Sequence, residues 1–193
     1  MLTPLARALG VLAAVLLVAA CAAPSSSASS SPSPTPSPSP SPSPQLIVAV
    51  EACSLVTVTE ASAAAGLTLA DLAASGLTIP GACIYGDTAG TTSTFLFVFA
   101  KVYPDATAAD AVDPNQVAAV LAGQLNISGS NAHVVTGIGD KAVEYNTTGA
   151  DGSGVVLFVF KANVVLMIAI NPTTNAAAVE QLARTAVSRL TPA

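Results

Sequence analysis

The chain has 193 residues, 52% of them apolar and only 9% charged, with 11 Asp+Glu against six Lys+Arg and a formal net charge of −5. So acidic a chain carries no basic stripe to release counterions from a polyanion, which argues against a nucleic-acid partner. Three cysteines and one histidine leave few ligands for a metal centre.

Met1–Arg7 carries one positive charge and Ala8–Ala20 is apolar with a single glycine, the n-region, h-region and small-residue ending of an export signal. Its 13 apolar residues fall short of the about 20 needed to span a bilayer. The signal ends in Leu17-Val18-Ala19-Ala20-Cys21, which resembles a bacterial lipobox. The resemblance implies that residues 1–20 are a lipoprotein signal peptide and that Cys21 is lipidated and becomes the first mature residue. The domain would then be lipid-anchored at the cell membrane and face outward. Several acyl chains anchor stably where one is marginal, so membrane contact is expected through the lipid. Losing Arg7 leaves five Lys+Arg against 11 Asp+Glu, a surface that should not add electrostatic attachment to anionic headgroups. No other stretch reads as a membrane span, because apolar Val155–Ile170 is interrupted by Lys161-Ala162-Asn163.

Pro24–Pro44 contains only Ser, Pro, Thr and Ala and ends in strict Ser-Pro alternation. Nothing in it offsets the entropy of ordering, so a disordered or polyproline-II linker is expected over 21–44. At about 3.1 Å per residue the stalk could reach roughly 65 Å.

Residues 45–193 have the length of a single domain, about 150 residues burying near 70% of the surface exposed on unfolding. With Cys21 acylated, Cys53 and Cys83 remain. In an oxidising compartment their simplest fate is one disulfide, closing a loop of about 30 residues and contributing roughly 3–4 kcal/mol.

Thr57-Val58-Thr59-Glu60 is a capping box opening a helix through Ala65, with Gly66 as its stop. A short turn follows from Thr68 to Gly76, then a short strand Ala82–Gly86. Thr94–Tyr103 is a strand with Phe95, Phe97 and Phe99 on one side and Leu96, Val98 and Val102 on the other. Asp113-Pro114 supplies an N-cap and N1 proline for a helix through Leu125, with Val117, Val120, Leu121 and Leu125 as its inward stripe. Ala132–Thr136 and Lys141–Tyr145 read as strands around the turn Gly137-Ile138-Gly139-Asp140. Val155–Phe160 and Val164–Ile170 form a hairpin whose Ala162-Asn163 link is a poor two-residue turn, since Ala resists positive φ. Asn171-Pro172 ends the hairpin and Thr173 or Thr174 caps the last helix. Val179, Leu182, Ala183, Ala186, Val187 and Leu190 form its buried stripe. The expected fold is α+β: an antiparallel sheet of five to six strands packed with a short N-terminal, a middle and a C-terminal helix.

The lipobox, the Ser/Pro stalk, Cys53-Ser54-Leu55-Val56-Thr57, Cys83-Ile84-Tyr85 and Gly137-Ile138-Gly139-Asp140 together resemble a family of actinobacterial cell-envelope lipoproteins of unassigned function. The organisation is also similar to extracellular sensor domains of mycobacterial receptor-type Ser/Thr kinases. An Ala-rich, Lys-poor composition agrees with a GC-rich actinobacterial source. The chain departs from the kinases in having neither a transmembrane helix nor a kinase domain, so signalling would need a partner.

No catalytic set is legible. His133 lies in an expected strand with no nucleophile motif nearby, and a triad is defined by geometry rather than sequence. Asp151-Gly152-Ser153-Gly154 lacks the spaced carboxylates of a calcium loop and reads as a hairpin turn. Asn126-Ile127-Ser128 and Asn146-Thr147-Thr148 fit a glycosylation pattern that most bacteria do not use. No metal, cofactor or catalytic residue is therefore expected, and no ligand-binding residue is assigned. The feature with most functional content is that both sides of Thr94–Tyr103 and Val155–Ile170 are apolar, where a sheet with one wet face would alternate. Either helices cover both faces or one face lines an apolar cleft or partner surface. The reading is a non-enzymatic binding or sensor-like module contacting a small ligand, an envelope lipid or an envelope protein. The alternatives are an envelope lipid carrier with an apolar cavity and, behind it, a cell-wall hydrolase using His133 with an acidic residue.

Overall fold

A computed structural model describes residues 45–87, 89, 93–125, 128–149 and 152–191. All the elements below lie in the compact unit Pro42–Ala193. Cys21, the Ser/Pro linker, Asn126, Ile127 and Asp151 lie outside the described residues, as do the side chains of Leu121 and Leu125.

The fold is α+β. Among the described residues seven strands form one antiparallel sheet: β1 (Ala70–Asp71), β2 (Ala82–Gly86), β3 (Phe95–Val102), β4 (Ser128–Val135), β5 (Lys141–Gly149), β6 (Gly152–Lys161) and β7 (Val164–Asn171). Their spatial order is β1-β2-β3-β7-β6-β5-β4. The five helices among the described residues are α1 (Ala52–Leu55), α2 (Val58–Ala65), α3 (Ala106–Asp110), α4 (Pro114–Leu125) and α5 (Ala176–Ser188). The strand beyond the expected six is β1, whose two residues pair with Tyr85 and Gly86 inside the segment read as a bare turn.

The strongly patterned segments form for the reasons their residues suggest. Thr57 Oγ1 accepts from the Glu60 backbone N–H while Glu60 accepts from that of Thr57, and Gly66 ends the helix at φ +72°. Val179, Leu182, Ala183 and Ala186 of α5 are buried. Gly139 is required between β4 and β5: its φ is +62° and a Cβ there would fall 2.5 Å from the Phe160 carbonyl oxygen.

Several expectations need correction. Strand β4 starts at Ser128 rather than Ala132, and β5 continues through Gly149, because both remain paired beyond their apolar stretches: Ser128 opposes Thr148 and Gly129 opposes Thr147. Gly152–Gly154 belong to β6, not to a turn. The N-cap of α5 is Asn175, whose Oδ1 accepts from Ala178 N–H, while Thr173 Oγ1 accepts from Asn175 N–H one step earlier. Val120 is 59% exposed. Pro114, Val117 and Ala118 turn toward the protein at three- and four-residue spacing, which leaves Val120 off the stripe.

The two faces of the sheet carry separate cores. On the first face, Leu96, Val98, Leu157, Leu166 and Ile168 are sealed under α1, α2 and α5. On the second, Val143, Tyr145, Phe158, Phe160 and Met167 lie under α3 and α4. Tyr145 OH donates to Asn115 Oδ1 at the start of α4 over 3.0 Å.

Candidate functional site

The register aligns side chains in rows that cross the strands, and each row shows where a face is closed. On the first face one row runs Cys83, Val98, Ile168, Leu157, Glu144, His133 from β2 to β4. Its three central residues are fully buried. One end is the disulfide and the other is a carboxylate–imidazole pair.

At the disulfide end, Cys53 of α1 is bonded to Cys83 of β2, with Cα atoms 5.0 Å apart. This is the pairing expected from the cysteine count. Asp71 of β1 brings its carboxylate to the same spot, so that ligating atoms of Cys53, Asp71 and Cys83 lie within 4.8 Å of one another. Both sulfurs are spent on each other, and metal ligation by cysteine requires the free thiolate. Asp71 instead uses Oδ1 to accept from Ala73 N–H, capping the 3-10 turn Leu72–Ser75.

At the other end, Glu144 continues an apolar row beneath α5, which is why its side chain is only 1% exposed. His133 Nε2 lies 3.1 Å from Glu144 Oε1, and the imidazole is half exposed. Among the described residues no hydrogen bond meets either carboxylate oxygen. Burial pushes the Glu144 carboxyl above the ordinary carboxylate range; His133 opposes that rise and Glu180 of α5 adds to it. The pair can hold a proton and orient an imidazole, the part a buried carboxylate plays in a triad. Among the described residues no hydroxyl or thiol hydrogen-bonds the imidazole, so the nucleophile of such a triad has no counterpart there. Sequence reasoning singled out His133 but missed Glu144, because their pairing depends on a register shift between Ser130 and His133.

The second face is closed in its middle and open toward β3. One row runs Ile84, Phe97, Ala169, Val156, Tyr145, and the next Ala82, Phe99, Met167, Phe158, Val143, Val134. Over β5, β6 and β7 these side chains are mostly buried. Along β3, burial alternates although polarity does not: Leu96, Val98 and Ala100 are buried, whereas Phe95, Phe97 and Phe99 are half-buried. The rings of Phe97 and Phe99 lie parallel, with centroids 6.5 Å apart. Exposed Lys101 follows on the same side and places its ammonium over the Tyr103 ring, 4.9 Å from the centroid. Gly81 borders the strip, since a Cβ there would sit 3.3 Å from the Phe99 ring. Beyond it, Leu77 and Ile79 are exposed. Of the two alternatives posed by the doubly apolar strands, β6 and β7 take the first, covered on both sides. Strand β3 keeps a half-open aromatic strip.

Among the described residues no helix is long and apolar enough to cross a membrane. No family description matches the chain, and no curated protein matches it either.

Proposed function

We propose that the chain is a lipid-tethered, outward-facing lipoprotein whose domain is a non-enzymatic binding module, with the strip Phe97–Phe99 as the seat for an apolar ligand such as an envelope lipid chain. The observation that carries the reading is the alternation along β3. Three aromatic side chains are half-covered on one side, while their apolar neighbours on the other are sealed. A half-covered aromatic pair offers a large apolar contact area with few rotamers to freeze. Lys101, at the end of the strip, has no carboxylate partner among the described residues and would favour a ligand whose apolar part ends in an anionic group. Tethering follows from the resemblance of Leu17–Cys21 to a lipobox, and the Ser/Pro segment supplies reach from the membrane.

The test is site-specific photocrosslinking in intact cells, with a photoreactive benzoyl-phenylalanine placed at position 99 or, as a control, at Val48, which is 75% exposed. A discrete lipid adduct at position 99 and none at 48 is the expected result. Equal labelling at the two positions, or none at 99, would remove the strip from consideration as the seat.

A further inference from the structure

We propose that the end of the sheet bearing Lys101, Lys141 and Lys161 is a docking face for an anionic phospholipid bilayer, a reading that rests on the tethered chain proposed above. All three lysines of the chain gather there. Lys101 is next to last in β3, Lys141 opens β5 and Lys161 closes β6. Lys101 opposes Val165, Val165 opposes Phe160 and Phe160 opposes Lys141, so Lys101 and Lys141 share one row on the second face. Both are exposed. Among the described residues they are also the cations without a carboxylate partner, since Lys161 is paired with Asp140, Arg184 with Glu180 and Arg189 with Glu60. Their ammonium groups lie over the Tyr103 and Phe160 rings, 4.9 and 4.5 Å from the centroids, so each charge is positioned by a ring rather than neutralised by an acid. The two stems stand about 14 Å apart, three strand spacings, which suits a surface of repeated anionic groups better than one small anion.

The chain enters the domain at this same end. Asn163, in the β6–β7 turn, holds both the N–H and the carbonyl of Ile47, just after Gln45. From there Ile47 and Val50 pack into the first core, which takes exposed Val48 away from the lysine row. Beside the row, Ala82 N–H at the start of β2 donates to the Ile79 carbonyl, and the side chains of Leu77 and Ile79 are 48% and 43% exposed. They are apolar groups for the headgroup boundary. The carboxylates nearby are engaged: Asp140 accepts from Lys161 and from Ala162 N–H, and Asp105 accepts from Ala108 N–H. The excess of acids over the whole chain would oppose docking only if those charges reached the contact. Screening confines charge interactions to about 8 Å at physiological ionic strength, so this end acts by its own lysines. Each lysine near an anionic surface is worth about a fivefold bias, and the tether supplies the local concentration at which so modest a bias counts. Docked this way, the strip Phe97–Phe99, which Lys101 continues, opens onto the bilayer.

The chain has no tryptophan, so a single introduced one reports where the domain touches lipid. The full chain extracted from membranes, carrying Ile79→Trp or, at the far end of β5, exposed Thr148→Trp, is reconstituted on vesicles of phosphatidylglycerol or of phosphatidylcholine, each with brominated acyl chains, and recovered by flotation. The bromines should quench Ile79→Trp on phosphatidylglycerol and leave Thr148→Trp bright on both lipids. Adding Lys101→Gln/Lys141→Gln to Ile79→Trp should lower the docked-to-free ratio about thirtyfold, two fivefold losses. Should that variant not fold, the comparison of the two lipids decides alone. Equal quenching at the two positions, quenching that survives the lysine substitutions, or quenching as strong on phosphatidylcholine would overturn the docking face. So would a blue shift of the Ile79→Trp emission that bromine does not quench, which would assign the face to a protein instead. A chain that floats without quenching removes the docking and leaves the tether standing. A chain that does not float lacks the anchor, and the docking then falls with the tethered reading.

Discussion

Asn163 shows how much a single side chain can determine. It is buried, its Oδ1 accepts from Ile47 N–H over 2.8 Å, and its Nδ2 donates to the carbonyls of Ile47 and Tyr103 over 2.9 and 2.7 Å. One amide thus ties the start of the domain to the loop after β3 and to the β6–β7 turn. Asn163→Ala should lower stability by about 3 kcal/mol, because it leaves buried backbone groups unpaired, and urea unfolding at neutral pH would measure the loss. The same turn shows where residue preferences mislead. Ala162 adopts φ +50° in the two-residue link between Lys161 and Val164, against the ordinary resistance of Ala to that region. Its N–H donates to Asp140 Oδ2 over 2.7 Å, and Lys161 Nζ donates to Oδ1 over 2.8 Å. Asp140 lies 22 residues away in sequence, so the support for this turn was not legible from the turn itself. The partner of His133 was hidden in the same way, by a register that the shift in β4 decides.

Among the elements, legibility followed length and pattern. Helices α2 and α5 and the hairpin β6–β7 carry caps or long apolar periods and were foreseen. The one-turn helices α1 and α3, of four and five residues, are too short to display a helical period, and β1 exists only through its pairing with β2. Helix α5 is joined to α2 by Arg189, whose guanidinium donates to Glu60 over 2.6 and 2.8 Å and to the Leu55 carbonyl over 2.7 Å. The hydrogen bond from Arg189 is the chief cause that lowers the Glu60 carboxyl from its ordinary 4.5 to about 2. Because the folded value lies below the unfolded one, this contribution is complete above about pH 4.5 and is lost as pH falls toward 2. The melting temperature of the wild type should therefore drop through that window. Glu60→Gln should start lower at neutral pH and drop less, a difference that calorimetry across pH 2–7 would record.

For the molecule as a whole, the α+β class, the antiparallel sheet and the cysteine pairing were readable from patterning and cysteine arithmetic. The central pairing of β3 with β7 was not, because it joins segments some seventy residues apart and puts the late hairpin between β3 and β5. That arrangement decides the candidate site. With β7, β6 and β5 beneath α3 and α4, the doubly apolar sequence of β6 and β7 is core, while the similar sequence of β3 is left half-covered. Sequence alone cannot separate those two outcomes, since both strands read as apolar on both sides. In the proposed function an acylated chain presents this strip to an apolar ligand. Native mass spectrometry of the protein extracted from membranes, compared with Phe97→Ser/Phe99→Ser, tests it most directly. The expected result is a chain beginning at an acylated Cys21 that retains a non-covalent lipid in the wild type and loses it in the variant. A chain unmodified at Cys21, or a wild type as free of bound lipid as the variant, would contradict it.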